Sequence, residues 1–248
     1  VNAKIRAILA SAIGWIPIRM RAGLGKGARW TLFPWTSYWR GTHEPAFCHA
    51  IEQLGGGDIK GWNCWDLGAH FGYYSVPLAI RVGPSGQVAS FEPNPESFRK
   101  LERHRQLNHL GWMRTYPWAA SDHTGCGKLL TYGDLGSTST HLSYENEVET
   151  EASAPVAIRT IRIDELVDSG ELRLPQFVKI DVEGHGYRAL EGMRRSITLA
   201  RPTLIIAFHS AEEVAGVLGI LEPLGYRRKP ITTPAQQGLV GGDFIFYP

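Results

Sequence analysis

The chain has 248 residues, of which 43% are hydrophobic and 20% charged, so it can bury a sizeable core as one α/β domain. Its formal charge of +2 provides no broad basic field and argues against a nucleic-acid partner. Three cysteines, Cys48, Cys64 and Cys126, lack CxxC or Cys/His spacing; this disfavours a structural zinc site and predicts buried thiols in a reducing, cytoplasmic setting.

From the start of the chain, Ala7 to Ile18 is a mostly apolar run flanked by Lys4, Arg6, Arg19 and Arg21. It is too short to span a bilayer, and Trp15 and Pro17 fit a signal peptide poorly. The run reads as a helix packed on the domain, with peripheral membrane contact through residues 1–21 as the alternative. Gly23 to Gly27 and the aromatic stretch Thr31 to Gly41 read as an entry flap. A helix from Pro45 ends at Gly55-Gly56-Gly57, after which strands and helices alternate: strand 62–68, helix 72–82, strand 87–92, helix 95–109 and strand 113–119.

Residues 127–132 and 155–162 are strand-like and enclose the polar segment Gly133 to Ser153, which predicts an antiparallel excursion at about 127–162 that could cover a site. The order resumes with strand Phe177 to Val182, helix His185 to Ser196, strand Thr203 to Phe208, helix Ala211 to Leu221, strand Gly225 to Lys229 and strand Phe244 to Tyr247. The fold class is therefore α/β: a Rossmann-like, seven-stranded, mostly parallel sheet closed by a C-terminal antiparallel hairpin, with an N-terminal helix and flap over residues 1–45.

Chemistry concentrates where Trp65-Asp66-Leu67-Gly68-Ala69-His70-Phe71-Gly72 precedes Ser90-Phe91-Glu92-Pro93-Asn94 by about twenty residues. A strand ending in an acid, a glycine turn and a second strand ending in an acid suit a ribose-bearing ligand at the carboxyl edge of a parallel sheet. A pyrophosphate needs GxGxxG, whereas His70 stands where the middle glycine would be. S-adenosylmethionine has no phosphate, so Asp66, Gly68, Ala69, His70 and Gly72 would suffice around it. Glu92 would accept both ribose hydroxyls, beside Pro93 and Asn94. Trp118 and Ala119 should pass the adenine.

Residues 177–192, with Lys179-Ile180-Asp181-Val182-Glu183-Gly184, together with the two motifs above, Trp39-Arg40-Gly41 with Glu44, and Pro202 to His209, resemble the FkbM family of methyltransferases over roughly residues 38–210. The resemblance implies an S-adenosylmethionine-dependent methyltransferase, usually acting on a hydroxyl of a sugar, polyketide or other secondary metabolite, with residues 46–248 as its catalytic domain. It also implies that Glu44 reaches the cofactor ammonium. Three positions depart from the family pattern: His70 for a common Asn, Gly186 for an acid, and Ala207 for an acid two residues before His209.

An alcohol acceptor must lose its proton, and Asp181, Glu183, His185 and His209 lie at or just beyond strand ends where a base is needed. Asp181 and His209 are the favoured pair. The plain alternatives are cofactor orientation for Asp181, a core or capping role for His209, and a helix-start acid for Glu183. Trp35, Tyr38 and Trp39 could stack on a sugar or anchor the flap; Ser137 and Thr138 could contact a polyol or lie in a solvated loop. A divalent ion at Asp181, Glu183 and His209 would acidify the acceptor, but it is not favoured and no metal ligand is assigned. The partner is then a small-molecule or glycan acceptor. The competing readings are a methyltransferase-fold scaffold without catalysis and a nicotinamide-dependent oxidoreductase.

Overall fold

In the computed structural model, residues 15–32, 36–131, 140–143, 155–231 and 242–248 are described. The chain runs β1 (Pro17–Arg19), β2 (Arg29–Thr31), α1 (Pro45–Glu52), β3 (Asn63–Leu67), α2 (Ser75–Val82), β4 (Gln87–Phe91), α3 (Pro95–Leu107), β5 (Met113–Tyr116) and β6 (Trp118–Ala120). There follow β7 (Gly125–Thr131), β8 (Thr140–Ser143), β9 (Val156–Ile161), α4 (Ile163–Asp168), β10 (Phe177–Ile180), α5 (Gly186–Gly192) and α6 (Arg194–Ala200). The last elements are β11 (Thr203–Phe208), α7 (Ala211–Leu221), β12 (Arg227–Pro230) and β13 (Gly242–Tyr247).

The main sheet has seven strands in the order β12-β13-β11-β10-β3-β4-β5, with β13 antiparallel to both β11 and β12 and the remaining pairs parallel. This is the expected α/β architecture with its closing hairpin. Alternate residues of each strand feed two cores. Cys64, Val88, Met113, Phe177, Ile205 and Ile245 pack with residues of α1, α2 and α3, while Trp65, Phe91, Val178, Ile206 and Phe246 pack with residues of α5, α6 and α7. Burial on both faces is what continuous apolar strands such as Thr203–Phe208 require.

Several boundaries differ from the sequence reading. The predicted strand 113–119 is two strands in two sheets, broken at Pro117, which has no N–H to continue a ladder. β6 leaves the main sheet to pair with β9, and β7 runs antiparallel to β8 and β9, giving a second, four-stranded sheet where the excursion was expected. The single helix 185–196 is two helices meeting at Met193. A Cβ on Gly192 would lie 1.8 Å from the Ser121 carbonyl oxygen, so this end of α5 is pressed against the chain leaving β6.

At the N-terminal end Pro17 and Ile18 are in a strand rather than the end of a helix, paired with Thr31 and Trp30; residues 7–14 of that predicted helix lie outside the described residues. Trp30 anchors this hairpin, fully buried and stacked on His104 with ring centroids 3.6 Å apart. Cys48 and Cys64 are buried as expected. Cys126 is exposed, on the outward side of β7 beside exposed Lys128. Among the described residues no helix is long and apolar enough to cross a membrane.

Gly68, at the end of β3, shows how tightly the carboxyl edge is built. Its φ is +77°, and a Cβ there would sit 1.9 Å from the Asp181 carbonyl oxygen. Gly68→Ala should therefore combine left-handed strain with a backbone clash, at a cost of about 3 kcal/mol or more. Thermal unfolding should show a fall in Tm of about 10 °C, by the usual scaling for chains of this size; an unchanged Tm would contradict this packing.

Candidate active site

The carboxyl edge of β3, β4, β10 and β11 opens into a cleft lined by residues at or just beyond the ends of all four strands. Of the residues singled out in the sequence, Tyr38, Glu44, Gly68, Ala69, His70, Glu92, Pro93, Asn94, Trp118, Ala119, Asp181, Glu183 and His209 line it. Asp66, Gly72, His185 and Trp39 do not. Trp35, Ser137 and Thr138 lie outside the described residues.

Beneath the cleft, register pairs Lys179 on β10 with Asp66 on β3. The Lys179 ammonium lies 3.1 Å from Asp66 Oδ1 and 3.5 Å from Asp181 Oδ2, and donates to the Gly68 carbonyl at 3.0 Å. Burial opposes its charge, but Asp66 and Asp181 outweigh burial and hold its pKa above the ordinary lysine value. Asp66 is fully buried and also accepts from the Ser75 hydroxyl at 2.5 Å. It therefore acts below the floor, tying the start of α2 to Lys179. Gly72 contributes space: its φ is +87°, and a Cβ would meet Leu101 at 2.7 Å.

At the end of β4 the Glu92 carboxylate accepts the His70 N–H at 2.6 Å and the Asn94 N–H at 2.8 Å, one on each oxygen. Burial raises its carboxyl to about 7, although both N–H groups pull the other way. The Asn94 side chain is committed elsewhere, accepting from the Glu96 and Ser97 N–H groups as the N-cap of α3. His70 has φ +49° and its Nδ1 lies 3.1 Å from the Tyr38 hydroxyl. Burial lowers its pKa to about 4, so the ring is neutral. Tyr38 is thus buried among His70, Phe71 and Tyr73 rather than presented as an open stacking wall. Trp39 faces Arg21 and Arg40, whose guanidinium carbons lie 5.5 and 5.1 Å from its ring.

One end of the cleft is apolar and aromatic, with Phe91, Trp118, Ala119, Ala120 and Leu129. Trp118 is half-buried, with the Arg159 guanidinium 4.5 Å from its ring. The opposite end is acidic. Glu44, in a left-handed conformation with φ +42°, accepts the Tyr74 hydroxyl and lies 3.5 Å from His43 Nε2. His209 Nε2 lies 3.4 Å from Asp181 Oδ1 and 3.5 Å from Glu183 Oε2, and its Nδ1 is 3.7 Å from Glu213 Oε2. Burial opposes protonation of His209, but Glu213, Asp181 and Glu183 prevail and raise its pKa to about 9. Burial also raises Glu183 to about 7, with His209 opposing and Asp181 reinforcing the shift.

The sequence reading missed Lys179, His43, Tyr73, Tyr74 and Glu213. Glu213 had a signal: Ser210 and Glu213 have the Ser-x-x-Glu spacing of a capping box at the start of α7, and the Ser210 hydroxyl accepts the Glu213 N–H at 3.0 Å. The buried Glu213 carboxylate also accepts the N–H groups of His209 and Gly186, each at 2.8 Å. A Cβ on Gly186 would lie 2.6 Å from that carboxylate, which accounts for glycine there. Ala207, the other departure, pairs across the sheet with Asp243 on β13, so an acid still stands at this edge on the neighbouring strand. Asp243 was missed too. His185, by contrast, is buried with its Nε2 3.1 Å from the Ser121 hydroxyl, outside the cleft. Among the described residues no three His, Cys, Asp or Glu side chains are grouped to hold a metal ion.

Strand order, closing hairpin and a cleft at the carboxyl edge define the class I methyltransferase fold. Residues 66–228 match the methyltransferase FkbM domain, and the chain belongs to that family. It is 31% identical over 167 residues to the hexuronic acid methyltransferase AglP of Haloferax volcanii, an alignment covering 63% of this chain. The chain spans 60% of the length of that curated relative. The FkbM methyltransferase structure from Methylobacillus flagellatus superposes with a TM-score of 0.52 at 19% identity, covering 75% of this chain and 43% of that one. A putative rRNA-methylase from Clostridium thermocellum gives 0.51 at 12% identity, covering 80% and 92%. At these identities the structural likeness is one of fold.

Proposed function

We propose that the chain is an S-adenosylmethionine-dependent O-methyltransferase acting on a hydroxyl of a sugar, glycan or secondary metabolite. The observation that carries this reading is Glu92: a buried carboxylate at a strand end, lining the cleft between an apolar end and an acidic end. The donor set fits the cofactor. The apolar end suits a purine, Glu92 suits a ribose diol, and Glu44 and Asp181 suit an ammonium and a sulfonium. The name of the Haloferax relative supports a sugar acceptor, and family membership supports methyl transfer.

S-adenosylmethionine held by Glu92, Glu44 and Asp181 would supply an electrophilic methyl group to the acceptor oxygen, with a neutral thioether as the leaving group. The chain's own residues align the acceptor and remove its proton. Of the carboxylates beside His209, Glu183 is raised by burial to about 7, and Asp181 is shared with Lys179. We therefore assign the base to Glu183. His209, held protonated, lies beside Asp181 and Glu183 and favours the charged form of Glu183. Much of the rate comes from holding the acceptor oxygen in line.

The test is transfer of a labelled methyl group from S-adenosylmethionine to polyhydroxylated glycans, followed by mild base. An ether survives base, as expected; loss of the label as methanol would reveal an ester and overturn the hydroxyl assignment. A cofactor-binding chain that labels no acceptor would favour the scaffold reading.

A further inference from the structure

Glu213 stands behind the cleft and does not line it. Its carboxylate is fully buried on the first turn of α7 and bridges two loops. Oε1 accepts the Gly186 N–H at the head of α5, and Oε2 accepts the His209 N–H, each at 2.8 Å. Those loops carry the groups assigned to the chemistry: Asp181 and Glu183 lie between β10 and α5, and His209 lies between β11 and α7. The bridge has little slack. A Cβ on Gly186 would lie 2.6 Å from Oε1, and one on Gly216 of α7 would lie 2.7 Å from the Tyr187 Cβ of α5, so the two helices press together on this side. Around His209, Nδ1 lies 3.7 Å from Glu213 Oε2, while Nε2 lies 3.4 Å from Asp181 Oδ1 and 3.5 Å from Glu183 Oε2. From β13, Asp243 is a fourth acid within electrostatic reach of the ring.

We infer that Glu213 is a positioning residue for methyl transfer: its two oxygens clamp the Glu183 loop to the His209 loop and turn His209 Nε2 toward the base, a role that rests on the methyltransferase reading above. An imidazole has two nitrogens, and the partner of one decides what the other can do. With a carboxylate behind Nδ1, both nitrogens carry protons and Nε2 presents a cation to the reacting edge. Burial opposes that charge, and Glu213 is the foremost of the groups that overcome it, ahead of Asp181 and Glu183. Because Glu213 stands outside the cleft lining, its influence on the reaction passes through His209 and Gly186.

The experiment follows the His209 ring by NMR in protein carrying isotope-labelled histidine, with its signal assigned from His209→Gln. In Glu213→Gln, which keeps the size of the side chain and removes its charge, the His209 titration should fall from about 9 by about one pH unit or more. The alkaline limb of kcat/KM for the acceptor, measured with S-adenosylmethionine saturating, should fall with it. Ser210→Ala is the structural control: it removes the side-chain cap of α7 and leaves the carboxylate at His209, so Tm should drop while the titration and the limb stay in place. Glu213→Asp keeps the charge but is one methylene too short to bridge both loops; it serves if the amide does not fold, and its His209 titration should fall by less. An unchanged His209 titration in Glu213→Gln, or in Glu213→Asp where only that variant folds, overturns the inference, as does an equal fall in Ser210→Ala. Failure of the native chain to bind S-adenosylhomocysteine or to methylate any acceptor would strike the methyltransferase reading instead, and the NMR titration would still decide whether Glu213 holds His209.

Discussion

Replacing Glu92 with alanine should weaken S-adenosylhomocysteine binding by about 100-fold or more, because two charge-assisted hydrogen bonds to a ribose diol would be lost at about 1.5 kcal/mol or more each. The variant also leaves the His70 and Asn94 N–H groups without the carboxylate that now receives them. Glu92→Gln offers little relief: whichever way the amide turns, its NH2 faces one of those donors. The same geometry gives a pH signature. With its carboxyl raised to about 7 by burial, Glu92 is partly protonated in the free protein at neutral pH, while the diol binds the ionised form.

Affinity should therefore rise with pH between about 6 and 8, and that slope should vanish in Glu92→Gln. Stability moves oppositely. A carboxyl whose folded pKa lies above its unfolded value binds more protons in the folded state, so its stabilising contribution is lost as pH rises from about 4.5 to about 7. A ligand that engages the carboxylate recovers part of it. Calorimetry across this range checks both trends; a flat affinity profile for the native chain would contradict the assignment.

Glu183→Gln should lower kcat by about 100-fold to 10,000-fold, the span of a lost general base, while S-adenosylhomocysteine affinity stays within about threefold. The separation follows from position, because Glu183 follows β10 beside His209, whereas Glu92 follows β4, two strands away in the sheet. With S-adenosylmethionine saturating, so that Glu92 no longer contributes, kcat/KM for the acceptor should rise with pH through about 7 as Glu183 ionises, then fall through about 9 as His209 loses its proton. The acid limb should disappear in Glu183→Gln. His209→Ala removes the cation that opposes the upward shift of Glu183, so the acid limb should move to higher pH. A Glu183→Gln enzyme with native kcat would pass the role of base to Asp181.

The local motifs were readable because their chemistry is contiguous. Asp66 through Gly72 and Phe91 through Asn94 carry their turn geometry within a few residues, and most of them line the cleft. The strands Thr203–Phe208 and Phe177–Ile180 were legible as apolar runs, since burial on both faces leaves no other pattern. What escaped the reading depends on register between distant strands. Lys179 becomes a site residue only because β10 sets it opposite Asp66, and Asp243 only because β13 sets it opposite Ala207. Glu213 matters through its contacts with Gly186 and His209, and just the capping box announced it. Pro117 and Pro17 were visible, yet their consequences, a change of sheet and a strand in place of a helix end, were set by tertiary pairing.

Whether the Glu92 cleft holds S-adenosylmethionine is read by calorimetric titration of the native chain with S-adenosylhomocysteine, with NAD as the control ligand. Saturable one-site binding of S-adenosylhomocysteine at low micromolar affinity, and no binding of NAD, is expected of this cleft. A folded sample that binds NAD, or binds neither ligand, would contradict that assignment.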